Sequence, residues 1–194
     1  MTEQIPDPRP LYAGALTWVR GLLDAVRPDQ LDGPTPCPEF DVRTLAGHLV
    51  GTVGRARVIG EGGDPREAPF VVDGIADDGF AAAYGEEIDK VLAVWRDDAI
   101  LDRMATVPWG TLPGRAALAG YVNETLVHGW DLAVSTGQPA EAPREIAEAA
   151  LAAAPRVLPA EPRGGHVPFA AVVEPAPDAG PTERLANWCG RPRR

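Results

Sequence analysis

Four stretches of this chain repeat apolar residues every three or four positions, and each is bounded by proline, glycine or a capping residue. That spacing gathers apolar side chains on one face of an α-helix, whereas a half-buried strand needs strict alternation. The first stretch spans about residues 9 to 27, with Leu11, Ala15, Leu16, Val19, Leu22, Leu23 and Val26 in register ahead of Pro28. Gly33-Pro34-Thr35-Pro36-Cys37-Pro38 cannot continue a helix and reads as a stiff connector. Asp41 can then cap a second helix, about 41 to 60, carrying Val42, Leu45, Leu49, Val50 and Val53. A third helix, about 78 to 98, aligns Phe80, Tyr84, Ile88, Val91, Leu92 and Trp95, after a glycine-rich loop over 60 to 76. The fourth, about 114 to 136, carries Leu118, Val122, Thr125, Leu126, Gly129, Leu132 and Ala133 and is closed by Gly137. Shorter helices are expected near 143 to 154 and 182 to 189, with a short hairpin around 108 to 114 and a β-like run over 169 to 173. The chain is therefore expected to be all-α. It reads as an antiparallel four-helix bundle with extra short helices and a small irregular or β-hairpin element. No repeat divides the 194 residues, so a single domain, 1–194, is expected.

Charge and cysteine usage narrow the function. A formal net charge of −10 argues against nucleic acid, where affinity comes from neutralising phosphates with Lys and Arg. The basic end, Arg191-Pro192-Arg193-Arg194, is short and reads as a solvated tail. Cys37 and Cys189 give no disulfide framework and read as small buried thiols, although Cys37 precedes a helix start, where a thiol pKa can fall. No apolar run approaches the roughly 18 residues of a membrane span. The N-terminus lacks the basic flank and apolar region of a signal peptide, so a cytoplasmic protein without membrane partners is expected.

The chemistry concentrates in the fourth helix. Glu124 and His128 are four apart and Asp131 follows three later, so the three side chains stack along one stripe. A carboxylate and an imidazole at that spacing can share a metal ion if a third ligand arrives from elsewhere. The best donor is His48 on the second helix. At 100° per residue it lies roughly 130° from the mean direction of that helix's apolar stripe, beside Thr52 and Arg55. A histidine filling space in the core would sit in the stripe, so His48 points to a second contact surface. Gly47, Gly51 and Gly54 lie nearby and would permit close approach there. Asp131 can hold His128 in one tautomer from behind. His48, Glu124 and His128 leave one coordination position open, as in a catalytic zinc site, and the same set also suits iron(II). Against this stands the plain reading of Glu124 and His128 as a solvent-exposed helix pair. His166, in a Gly- and Pro-rich segment, reads as a packing or surface residue.

These stretches also carry a family resemblance. Thr35-Pro36-Cys37-Pro38-Glu39-Phe40-Asp41-Val42-Arg43-Thr44-Leu45-Ala46-Gly47-His48-Leu49 resembles the second-helix motif of the DinB-like, mycothiol-dependent maleylpyruvate isomerase superfamily. Leu126-Val127-His128-Gly129-Trp130-Asp131-Leu132-Ala133, followed by Thr136-Gly137, resembles its fourth-helix signature. The turn from Gly110 to Gly114 and the ending from Leu185 through Gly190 to Arg191 are similar to an actinobacterial, single-domain, metal-binding branch. The resemblance implies a DinB-like bundle holding a divalent metal, zinc or nickel, on His48, Glu124 and His128. It implies a low-molecular-weight thiol such as mycothiol as cosubstrate, and a homodimer as a family-level expectation. The stretch after the fourth helix is short for the isomerase's C-terminal domain, so a related reaction is expected in place of maleylpyruvate isomerisation.

The function expected is thus a metal-dependent thiol S-transferase or thiol-dependent isomerase acting on an electrophilic small molecule. Asp131 would orient His128, and Arg55 or Arg43 would steer an anionic substrate. The alternative is a non-catalytic metal-binding module, a sensor or store.

Overall fold

The computed structural model describes residues 6–165, 167 and 169–192. His166, Arg193 and Arg194 lie outside the described residues, and with them the expectations for His166 and for the last two arginines. The chain runs through α1 (Arg9–Asp24), α2 (Val42–Glu61), α3 (Phe80–Val94), α4 (Ala99–Asp102), β1 (Met104–Val107), β2 (Gly110–Pro113), α5 (Gly114–Thr136), α6 (Arg144–Val157) and α7 (Pro181–Trp188). α1 packs against α3 and α5, and α2 packs against the same two, so the long helices close the ring of an all-α, DinB-like bundle. β1 and β2 form an antiparallel hairpin with Met104 opposite Pro113 and Val107 opposite Gly110.

Local chemistry sets the helix ends that matter for the site. The Asp41 carboxylate accepts from the Thr44 amide at 2.7 Å and starts α2, and Gly62, at φ 89°, stops it. Gly137, at φ 70°, stops α5. The core between the helices is filled by Leu16, Leu45, Leu49, Tyr84, Leu118 and Leu126, none with meaningful solvent exposure. Trp95 closes α3 onto α2 by donating its indole N–H to the Ala56 carbonyl at 2.9 Å.

α2 is buried on two sides, which its single apolar stripe does not foretell. The chain after the 3-10 turn Pro65–Glu67 crosses the helix on the face bearing Gly47 and Gly51. A Cβ on Gly47 would meet the Val72 carbonyl oxygen at 2.6 Å, and one on Gly51 the Pro69 carbonyl oxygen at 2.7 Å. The Val72 amide donates to the Gly47 carbonyl at 3.1 Å, tying this roof down. Gly54 has only ordinary contact with Glu87, so it does not serve that approach.

Several expected boundaries shift. α1 ends at Asp24, and Pro28 opens a 3-10 turn, Pro28–Gln30. α3 runs only from Phe80 to Val94, the expected last residues 95–98 form a turn, and a separate short helix, α4, follows it. α6 carries on through Pro155 to Val157; the proline forfeits one i to i−4 hydrogen bond, and the Leu158 amide still donates to the Ala154 carbonyl at 2.9 Å. Residues 169–173 form no strand. Val173 donates to the Asn187 carbonyl on α7 at 2.9 Å, and among the described residues no strand pairs with the segment.

Candidate metal centre

α2 and α5 pack side by side, and their contact brings His48 to Glu124 and His128. Glu124 Oε1 lies 3.6 Å from His48 Nε2 and 3.5 Å from His128 Nε2. One donor atom from each of the three residues falls within 4.8 Å of the others. Two ligands each about 2.1 Å from a tetrahedral ion stand roughly 3.4 Å apart, so the carboxylate-to-imidazole spacings suit a shared cation. They are long for hydrogen bonds.

Both imidazoles are held from behind. His48 Nδ1 lies 3.0 Å from the Phe70 carbonyl oxygen, and a carbonyl can only accept, so the proton sits on Nδ1. His128 Nδ1 lies 3.1 Å from Asp131 Oδ2, which fixes that ring in the same tautomer when it is neutral. In both rings Nε2 is left to face Glu124. The Thr52 hydroxyl, one turn beyond His48, approaches its Nε2 at 3.3 Å. The ring of Phe70 lies 4.5 Å from that of His48, and Phe40 lies 5.1 Å from His48 and 6.3 Å from His128. The two histidines are buried, whereas the Glu124 side chain keeps 30 % exposure, so the centre opens to solvent on the carboxylate side.

The electrostatics agree with a cation-binding pocket. Burial alone would raise the Glu124 carboxyl, but the imidazoles of His128 and His48 outweigh it and hold the group well below the usual carboxylate range. Burial alone would lower His128. Asp131 and Glu124 reverse that and raise it to about 9. The metal-free pocket thus keeps a proton where a cation would bind.

Asp131 itself is fully buried and pairs with Arg191, whose Nε lies 3.2 Å from Oδ1 and 3.1 Å from Oδ2. Arg191 is therefore no solvated tail. The turn that follows α7 carries it back to Asp131, and a buried carboxylate needs that positive partner. Gly190-Arg191 at the end of the chain was the available signal, but nothing in its spacing relates it to α5.

Arg55 lies on the His48 face of α2, its guanidinium stacked 4.7 Å over the Phe70 ring. Its Nε is buried without a hydrogen-bond partner, and no carboxylate pairs with it among the described residues. It borders an open cleft of about 730 Å³ lined also by Gly62, Gly63, Pro65, Thr106 and Val107. Arg43 has no such freedom. It pairs with Asp77 at 2.6 Å and approaches Asp32 at 3.8 Å on the surface. Cys37 and Cys189 are buried, and burial raises both thiols, Cys189 to about 11.

Comparison with known proteins adds the family. Residues 13–133 match the mycothiol maleylpyruvate isomerase N-terminal domain. Two relatives from Mycobacterium tuberculosis, the uncharacterized proteins MT0763 (strain CDC 1551 / Oshkosh) and Rv0738 (strain ATCC 25618 / H37Rv), are each 34 % identical over 187 residues. In both cases the match covers 95 % of this chain and 98 % of the relative. No solved structure matches significantly. Among the described residues, no helix is long and apolar enough to cross a membrane. The chain belongs to the mycothiol maleylpyruvate isomerase N-terminal domain family.

Proposed function

We propose that this member of the family is a metal-dependent enzyme that transfers a low-molecular-weight thiol of the mycothiol type to an electrophile, or isomerises the electrophile through such a thiol. The observation that carries the reading is the convergence of His48, Glu124 and His128 from two helices, with both Nδ1 atoms tied off. His48 and His128 would bind through Nε2 and Glu124 through its carboxylate; zinc is the first choice, with nickel and iron(II) chemically compatible. A divalent ion held there supplies the charge that turns a thiol, with a pKa near 8.5 and mostly protonated at neutral pH, into thiolate.

The chain's own residues do the rest. Asp131 keeps the His128 ring from rotating, and the Phe70 carbonyl does the same for His48. Phe40 and Phe70 exclude water from the imidazole side, leaving approach along the exposed edge of Glu124. Neither Cys37 nor Cys189 offers a thiolate, because burial raises both, so the nucleophilic sulfur has to come from a cosubstrate. Arg55 would hold an anionic group of the electrophile beside the Phe70 ring on which it stacks. The sulfur lone pair then forms the S–C bond. A halide leaves with its electron pair while the thiol's proton passes to solvent. With an alkene the π pair moves to the neighbouring carbon. That carbon either takes a proton back from solvent to give the adduct or, after rotation about the former double bond, re-forms it and expels the thiolate to give the isomer.

The test is metal content followed by thiol consumption. Purified wild type should carry or accept one equivalent of zinc or nickel and His48→Ala should not, and the loaded protein should consume thiol with an alkene or halide panel. Stoichiometric metal without thiol consumption would leave a metal sensor or store. A wild type that accepts no metal would remove the centre altogether.

A further inference from the structure

We propose that Arg191 is a positioning residue for the metal centre: it clamps Asp131, which fixes His128, so that docking of the chain's C-terminal turn and metal affinity are linked. The inference rests on the metal reading of His48, Glu124 and His128. The family match ends at residue 133, well before this arginine.

The geometry is continuous from the end of the chain to the centre. α7 closes with Gly190 at φ 85°, a left-handed conformation that favours glycine. The Gly190 amide donates to the Asn187 carbonyl and the Arg191 amide to the Ala186 carbonyl, both at 2.9 Å. That pair of bonds is a Schellman turn, which reverses the chain at a fixed angle. The Asn187 side-chain amide donates to the Arg191 carbonyl at 2.8 Å and locks the turn from inside. Arg191 is thereby aimed back at α5, and one N–H is shared between the two oxygens of Asp131. A donor shared in this way restrains rotation of the carboxylate, and its Oδ2 is the atom that faces His128 Nδ1 at 3.1 Å. Without the guanidinium, Asp131 would be a buried carboxylate with the His128 imidazole as its only side-chain partner among the described residues, free to turn or to draw in water. Partners behind metal-bound histidines typically matter by 10- to 100-fold in affinity. Coupling also runs in reverse, so an ion that stiffens His128 must stiffen the turn.

The experiment measures zinc affinity by competition with a chromogenic chelator, and the visible spectrum with cobalt(II), in wild type, Arg191→Ala, Arg191→Lys and Leu185→Ala. Leu185 is buried on α7, and truncating it loosens the helix that carries the turn. Arg191→Ala should bind zinc about 10- to 100-fold more weakly, with altered cobalt bands, and added guanidinium ion should restore part of the loss. Arg191→Lys should fall between the two, because it keeps the charge without the planar Nε–H. Leu185→Ala should also weaken zinc binding, by less than Arg191→Ala, because the turn is loosened while the guanidinium remains. As a measurement that needs no variant, zinc should slow amide exchange across Ala186 to Arg191 in wild type. Equal affinity in Arg191→Ala, or exchange unchanged by zinc, would each overturn the proposal while leaving the centre itself standing. A wild type that binds no metal would overturn both.

Discussion

Asp131 Oδ2 lies 3.1 Å from Nδ1 of His128, three residues earlier on the same helix, and both residues are buried. Asp131→Asn keeps the shape but weakens the acceptor and leaves Arg191 unbalanced. Zinc affinity should fall about 10- to 100-fold. Asp131→Ala, which strands the guanidinium, should cost on the order of 3–5 kcal/mol of stability. Chelator competition and chemical melts on both variants check this; an unchanged zinc affinity would remove Asp131 from the site.

Metal binding should be steeply pH-dependent. In the metal-free protein His128 keeps its proton up to about pH 9, above its ordinary value of 6.5. The stability it contributes is complete below about 6.5 and is lost as pH rises through about 9. Glu124 works in the opposite sense, because its lowered pKa stabilises the fold above the ordinary carboxylate range and that stability is lost in acid. Zinc has to displace the His128 proton, so affinity should climb about tenfold per pH unit between roughly 6.5 and 9. Competition titrations across that window would show the slope, and a flat profile would contradict it.

Gly47→Ala tests the roof over α2. Helix propensity alone favours alanine by about 1 kcal/mol. The new Cβ would stand 2.6 Å from the Val72 carbonyl oxygen, so the 69–72 segment must lift. A net loss of about 1–3 kcal/mol is expected, as for other overpacked sites. Weaker zinc binding should accompany it, because Phe70 moves with the segment. A thermal melt that rises would refute the packing argument.

Arg55→Ala should leave metal content intact and impair turnover of anionic electrophiles. The effect should appear as a rise in KM of about tenfold or more, a typical cost of losing a charged hydrogen bond. Neutral electrophiles should be unaffected. Equal losses on both classes would assign Arg55 to packing on Phe70.

The two cysteines should be silent in the folded state. A chromogenic disulfide reagent at pH 7 should titrate almost no thiol natively and two after denaturation, since Cys37 and Cys189 are buried with raised pKa values. Rapid native labelling of either would reopen the question of an internal nucleophile.

What was legible in the sequence followed from local rules. Asp41 and Gly137 mark helix ends because capping is decided within a few residues, and α5 runs from Gly114 to Thr136 as expected. Glu124 and His128 stood out by their four-residue spacing and His48 because it lies off its helix's apolar stripe, and the α2–α5 contact brings the three together. Two contributions were not legible. The carbonyl of Phe70 is a backbone group on a segment without periodicity, and no side-chain pattern records where such a segment lies. Arg191 is 60 residues from Asp131 in sequence, and its role depends on a turn whose direction only the packed α7 decides. The β-like run at 169–173 failed for a related reason: propensity marks extended chain, but a strand also needs a neighbour to pair with.

The glycines at 47 and 51 carry a consequence for reading other chains. They weaken α2 as a helix, and what they admit is a stretch of backbone whose carbonyl holds His48. The three candidate ligand positions alone therefore describe only the floor of the pocket. A side chain at either glycine would announce a differently roofed centre, with His48 steered by some other acceptor, even where histidine, glutamate and histidine are all in place.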